Sequence, residues 1–226
     1  MKIIEPEIKV ENFNGIQIMK NIERACRTCY RSEDKITSES YKNLLKNCLN
    51  RGHESVLEHE KISIQMICDI GCYKDLTRHR FGSFSIESTR YCNYGKDKFE
   101  NEINIINPCN IDENSNLYAF WKHSMERIEM NYIHMAENGA TPDQMRMILP
   151  HSTAAKVTMT ANIREWKHIF ELRCTKAAHP SVQQVMIPLL LCFKKEMPDI
   201  FSNIDYNKDF PPEKYAQIGW INNGED

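Results

Sequence analysis

Residues 61–68 read KISIQMIC, and the period of that stretch decides the fold class. Ile62, Ile64, Met66 and Cys68 fall at every second position, so they share one face of an extended chain while Ser63 and Gln65 point the other way. The stretch reads as a strand half buried in a sheet. Upstream the period changes. In residues 17–30, QIMKNIERACRTCY, the apolar positions Ile18, Ile22, Ala25, Cys26 and Cys29 recur at the three- and four-residue steps of a helical face. Residues 38–50 repeat that pattern through Tyr41, Leu44, Leu45, Cys48 and Leu49, with Gly52 as the C-terminal stop. Downstream, Ile103 to Ile106 is a weaker strand candidate, and residues 116–137 form a long helical stretch. Thr141-Pro142-Asp143 opens another helix, with Thr as cap and Pro at the first helical position, where no N–H is needed. That helix carries Arg146 and is expected to end near Pro150. KVTMTA, residues 156–161, is β-prone and leads into NIREWKHIFELR, whose Ile163, Trp166, Ile169, Phe170 and Arg173 fall at helical spacing. A last helix runs from Ser181 toward Met197, with a bend expected at Pro188. The fold class is therefore α+β, in the broad sense α/β: a central, mainly antiparallel sheet flanked by helices.

The chain has 226 residues and a mass of 26.5 kDa, enough for one domain with a real core, and no repeat or linker divides residues 1–226. Basic residues (29) and acidic residues (31) nearly cancel, so neither nucleic acid nor an anionic membrane is an expected partner of the whole surface. Any anion site must be a local cluster. No apolar run approaches the roughly 20 residues that span a bilayer, and the longest, Val185 to Phe193, is interrupted by Pro188. The N-terminus, MKIIEPEIKVEN, has acidic residues and no apolar core of a signal peptide, so a cytoplasmic location is expected. Nine cysteines are an odd number in a long chain, which predicts free thiols. Cys26 with Cys29 and Cys68 with Cys72 are closely spaced, but neither pair has a matching second half, so no metal site is expected.

Three segments carry the polar chemistry. RHRFGSFSIESTRY, residues 78–91, gathers Arg78, His79, Arg80 and Arg90 with the hydroxyls of Ser83, Ser85, Ser88 and Thr89 and the flat surfaces of Phe81, Phe84 and Tyr91. Guanidinium forks match phosphate oxygens, so such a segment can grip phosphates. A solvated basic loop is the plainer reading, and a non-catalytic nucleotide- or RNA-binding module that stacks bases on the aromatics is another. Near-neutral net charge argues against the RNA reading. In an extended stretch, Ser88 and Arg90 would share a face and Glu87 would point away. With only eight glycines and neither GxGxxG nor GxxxxGK[ST], a phosphorylated cofactor would have to be held by side-chain cations and helix N-termini. GHESVLEH, residues 52–59, resembles a zinc helix, yet its histidines are six apart and HExxH needs four. The third segment, NIREWKHIFELRCTKAAHP, brings Arg164, His168 and Glu165 or Glu171 close at helical steps. Arg173 stands at the C-terminal end, where dipole compensation alone would account for it.

Together these segments resemble the flavin-dependent thymidylate synthases. That family is recognised by Arg-His-Arg, seven residues, then Ser; here Arg78-His79-Arg80 is followed by FGSFSIE, Ser88 and Thr89-Arg90-Tyr91. GHESVLEH lies at the usual distance upstream, and QMRMILP and ANIREWKHIFELRCTKAAHP are similar to the family's downstream motifs in the same order. The resemblance implies a homotetramer with active sites shared between subunits. It further implies reductive methylation of dUMP to dTMP, with 5,10-methylenetetrahydrofolate as carbon donor, FAD as hydride carrier and NADPH as reductant. Carried over by position, Ser55, Arg78, His79, Arg80, Asn162, Ile163, Arg164 and His168 would hold FAD, with His53 beside the flavin ring. Asp75, Arg78, Ile86, Ser88, Arg90, Arg146 and Arg173 would hold dUMP, with Glu87 between nucleotide and flavin. Arg173 and His53 are the catalytic candidates; Asp75 and Ile86 stand where the family often has Gln, and Gln or Glu. A conventional thymidylate synthase, with a cysteine attacking C6 of uracil, is the rival mechanism, and Pro108-Cys109-Asn110 faintly resembles its Pro-Cys-His.

Overall fold

In the computed structural model, which describes residues 1–91 and 102–221, the alternation of residues 61–68 becomes a nine-residue strand, Lys61–Asp69. In chain order the elements are β1 (Lys2–Ile4), β2 (Glu7–Glu11), α1 (Gly15–Thr28), α2 (Ser40–Asn50), β3 (Lys61–Asp69), α3 (Ile70–Leu76), β4 (Ser83–Ile86) and β5 (Asn104–Ile106). They continue as α4 (Asn116–Glu137), α5 (Pro142–Met145), β6 (Ala154–Asn162), α6 (Ile163–Arg173), α7 (Pro180–Glu196), α8 (Pro198–Phe201) and β7 (Gln217–Ile221). Five strands form the main sheet in the order β4-β6-β3-β2-β7, antiparallel throughout except for the parallel pair β2 and β7.

Register puts like beside like. Ile62 lies opposite Ala161, Ile64 opposite Met159 and Met66 opposite Val157, and all six are buried. β2 adds Ile8 opposite Met66 and Val10 opposite Ile64. That apolar face is covered by Ile18 and Ile22 of α1, Trp166 and Phe170 of α6 and most of α7. The other face is hydroxyl-rich, and Ser63 Oγ lies 2.8 Å from Thr160 Oγ1. A second, smaller apolar cluster joins Ile103 and Ile105 to Met125 and Tyr132 of α4 and Met145 of α5. Among the described residues no helix is long and apolar enough to cross a membrane.

One helix departs from expectation, while α7 runs through Pro188 without interruption. The proline has no N–H for the carbonyl of Gln184, and that carbonyl instead accepts the N–H of Ala216 at 3.0 Å, just before β7. The helix opened by Thr141 is one turn only, capped by Gln144 Oε1 accepting the Thr141 N–H at 2.9 Å, and Arg146 lies in the tight 3-10 turn that follows it. Gly52 stops α2 as expected, with φ of +71°. β1, β2, β4 and β7 have no counterpart in the sequence reading.

Candidate active site

The polar face of α6 follows from its helical period. Ile163, Trp166, Ile169 and Phe170 are buried, which leaves Arg164, Lys167, His168 and Glu171 in a row on the opposite side. Asn162 starts the helix, its Oδ1 accepting the Glu165 N–H at 2.8 Å. This face forms one wall of a cavity of about 640 Å³. A second wall is Arg78, His79, Arg80 and Phe81, which leave α3, and the third is Glu54 and Glu58 of a 3-10 turn spanning Glu54–His59. The acidic wall meets the basic one: Arg164 Nη1 is 2.6 Å from Glu58 Oε1, and Lys167 Nζ is 2.9 Å from Glu54 Oε1 and 2.8 Å from Glu171 Oε1.

His79 sits at the back of this cavity, 5% exposed. Arg173 Nε donates to His79 Nε2 at 2.9 Å. Since arginine only donates, that ring nitrogen accepts, and the imidazole proton is on Nδ1, 3.4 Å from the buried carboxylate of Glu165. Burial first, then the positive charge of Arg173 and the neighbouring His168, push the His79 pKa down to about 4. A stability prediction follows. Near pH 6.5 the unfolded chain takes up a proton on this histidine that the native chain refuses, so stability falls as pH drops from about 6.5 to about 4, by an amount on the order of 3 kcal/mol. Urea midpoints between pH 7 and pH 4 should fall more steeply for the native sequence than for His79→Gln; equal slopes would contradict the neutral imidazole.

Arg173, the last residue of α6, also donates through Nη2 to the carbonyl of Asp75 at 2.9 Å, so it ties α6 to α3. Beyond α3 lies a second cavity of about 560 Å³, lined among others by Asp75, Lys74, Cys109, His151 and His179. Arg78 lines both cavities. Burial pushes the Cys109 thiol up to about 11, the opposite of what an attacking cysteine needs.

The remaining expected residues stand elsewhere. His53 and Ser55 are exposed and line neither cavity; Glu54 and Glu58 of the same turn do. Ile163 is wholly buried in the core and donates its N–H to Glu60, so its side chain is not offered to a ligand. Ile86, Glu87, Ser88, Arg90 and Arg146 line neither cavity. Ile86 ends β4 opposite Val157, and Glu87 Oε2 accepts the Lys156 N–H at 3.2 Å. The extended path expected through Ser88 and Arg90 is not found. The strand stops at Ile86, Tyr91 N–H donates to the Ser88 carbonyl to close a turn, and Arg90 N–H donates to Ser88 Oγ at 3.3 Å. Arg90 and Arg146 nonetheless converge, their Nε atoms 3.7 and 3.5 Å from one oxygen of Asp143. Lys167 was the member of the α6 row not foreseen, although its three-residue step from Arg164 was readable.

A family model described as thymidylate synthase complementing protein matches residues 16–199. The chain belongs to that family. It is 32% identical over 160 residues to a flavin-dependent thymidylate synthase of Pyrococcus abyssi, a match covering 70% of this chain and 65% of the relative. It is 27% identical over 185 residues to the enzyme of that name from Geobacter sulfurreducens, covering 78% of each. The chain thus spans less than two thirds of the length of the Pyrococcus relative. Its fold is also that of a UMP/dUMP methylase from Streptomyces cacaoi crystallised with 5-Br dUMP, with a TM-score of 0.73 at 19% identity over 89% of this chain and 96% of the other.

Proposed function

We propose that the protein is a flavin-dependent thymidylate synthase that makes dTMP from dUMP, with 5,10-methylenetetrahydrofolate as carbon donor, FAD as hydride carrier and NADPH as reductant. The observation that carries this reading is the joining of Arg78-His79-Arg80 with Asn162, Arg164 and His168 around one cavity that shares Arg78 with a second. The donor set fits a flavin dinucleotide. Arg78, Arg80 and Arg164 offer charge-assisted bonds to a pyrophosphate without a glycine loop, and the cavity lies within the roughly 300–1,000 Å³ of small-molecule sites. Arg164 would exchange Glu58 for phosphate, and exposed ion pairs of that kind are worth only about 0–1 kcal/mol. FAD, when bound, would supply the hydride that completes the methyl group.

The chain's own residues position and polarise. Arg173, held by His79 and the Asp75 carbonyl, would face the uracil carbonyls and stabilise negative charge developing on the ring. A neutral His79 keeps that guanidinium oriented by accepting its Nε–H. Ser88 would be a nucleotide ligand and not a nucleophile, because His79, the nearest imidazole in sequence, already accepts from Arg173. Arg90 and Arg146, which already converge on the Asp143 carboxylate, would converge on the phosphate of dUMP. Within one chain the nucleotide residues fall into two groups, Asp75, Arg78 and Arg173 in one and Ile86 to Arg90 with Arg146 in the other. A homotetramer with sites shared between subunits would unite them. The RNA-binding reading is disfavoured by the near-neutral charge of the chain, 29 basic against 31 acidic residues, which supplies no excess of cations for a nucleic-acid backbone.

Spectroscopic titration tests the proposal directly. The purified protein should bind FAD stoichiometrically and, with dUMP, methylenetetrahydrofolate and NADPH, release dTMP. Protein that purifies colourless and binds no added FAD in the titration would overturn the reading.

A further inference from the structure

α1 and α2 pack together, and each contributes one buried cysteine to the contact. Cys26 Sγ and Cys48 Sγ lie 3.0 Å apart, only about 1 Å beyond a disulfide bond length of ~2.05 Å. We propose that Cys26 and Cys48 are an oxidisable dithiol whose disulfide staples α1 to α2. The spacing in sequence does not announce it: Cys26 was nearest to Cys29, yet Cys29 is exposed at the end of α1 while Cys26 turns inward to meet Cys48. The position matters for the fold. α2 runs through Gly52 directly into the turn Glu54–His59 that carries Glu54 and Glu58 to the cavity, and α1 packs on that same turn. A bond between the two helices would tie down the scaffold of that wall.

Hydrogen peroxide, small enough to reach a buried pair, is the oxidant class that fits. One sulfur, as thiolate, attacks a peroxide oxygen; the O–O bond breaks, giving a sulfenic acid and hydroxide, which takes up a proton. The second sulfur then attacks the sulfenic sulfur, forms the S–S bond and releases water. Two thiols and one peroxide become one disulfide and two waters. Burial, then the neighbouring sulfur, push the Cys26 thiol up to about 12. Cys26 is therefore protonated at neutral pH, and with it as the attacking sulfur the oxidation should accelerate as pH rises from 7 to 9.

The test is peroxide treatment of the intact protein at pH 7 to 9, followed by digestion without reductant and mass spectrometry. A linked peptide joining Cys26 to Cys48, lighter by two hydrogens than its reduced parts, is expected. With it should come a rise in melting temperature on the order of 5–10 °C that dithiothreitol reverses. Cys48→Ala should give neither the linked peptide nor the peroxide-dependent rise, and Cys26→Ala should behave alike if one variant folds poorly. Linkage of Cys68 to Cys72 instead, oxygen addition confined to Cys29, or no oxidation at pH 9 would each overturn the proposal.

Discussion

Arg173→Ala should lower dTMP formation by about 10²- to 10³-fold while the protein still binds FAD, the cost of deleting one preorganised donor to developing negative charge. On the proposed reading this variant has two consequences. The first is at the reacting ring, which would lose the guanidinium proposed to face the uracil carbonyls. The second is at His79, which would lose both the donor to Nε2 and the positive charge that helps hold its pKa down. Arg173→Lys tests the geometry, since one ammonium on a flexible stem cannot reproduce the Nε bond to His79 and the Nη2 bond to Asp75 together. It should recover little activity. Cys109→Ala is the control, because a half-buried thiol with a raised pKa has no part in the proposed chemistry and its loss should leave turnover near that of the native chain. Turnover abolished in Cys109→Ala, with flavin and fold intact, would move the mechanism to cysteine attack.

How legible the site was depended on how local it was. The α6 row was readable because a helix converts spacing into neighbourhood, and Asn162, Arg164, His168 and Glu171 all lie where that period puts them. The joining of Arg78 to Arg80 with α6 was not readable from periodicity. It depends on β3 and β6 pairing with Asp69 opposite Ala154, which sets the strand to which α3 is attached beside the strand that feeds α6. Only the motif resemblance supplied it. β1, with three residues, and β2, with five, were missed because so few residues leave little period to read, and both depend on partners distant in sequence: β5 for β1, and β3 and β7 for β2. How α7 accommodates Pro188 was not readable for a related reason. The Gln184 carbonyl released by the proline finds its donor in Ala216, 28 residues beyond it.

Trp166→Ala should be the most destabilising single change on α6. The indole is wholly buried, stacks on Phe170 with centroids 5.6 Å apart, meets the edge of Phe193 at 5.6 Å, and donates from Nε1 to the carbonyl of Ile62 at 3.1 Å. Emptying such a site costs about 3–5 kcal/mol in transfer and cavity terms. Leaving the β3 carbonyl without its donor adds about 1 kcal/mol or more. Domains are stable by only about 5–15 kcal/mol, so the variant would stand close to unfolding at room temperature. The effect reaches the site through geometry. Trp166 faces the sheet from the helix whose other side presents Arg164, Lys167 and His168, so a helix settling into the hole would shift the whole cationic row. Trp166→Phe separates the two causes, because it keeps an aromatic ring between Phe170 and Phe193 and loses mainly the hydrogen bond and part of the volume. Urea titration should show a large fall in midpoint for the alanine variant and a much smaller one for phenylalanine, with FAD affinity following the same order. A shift below about 1 kcal/mol for Trp166→Ala would mean that α6 is not anchored through this side chain.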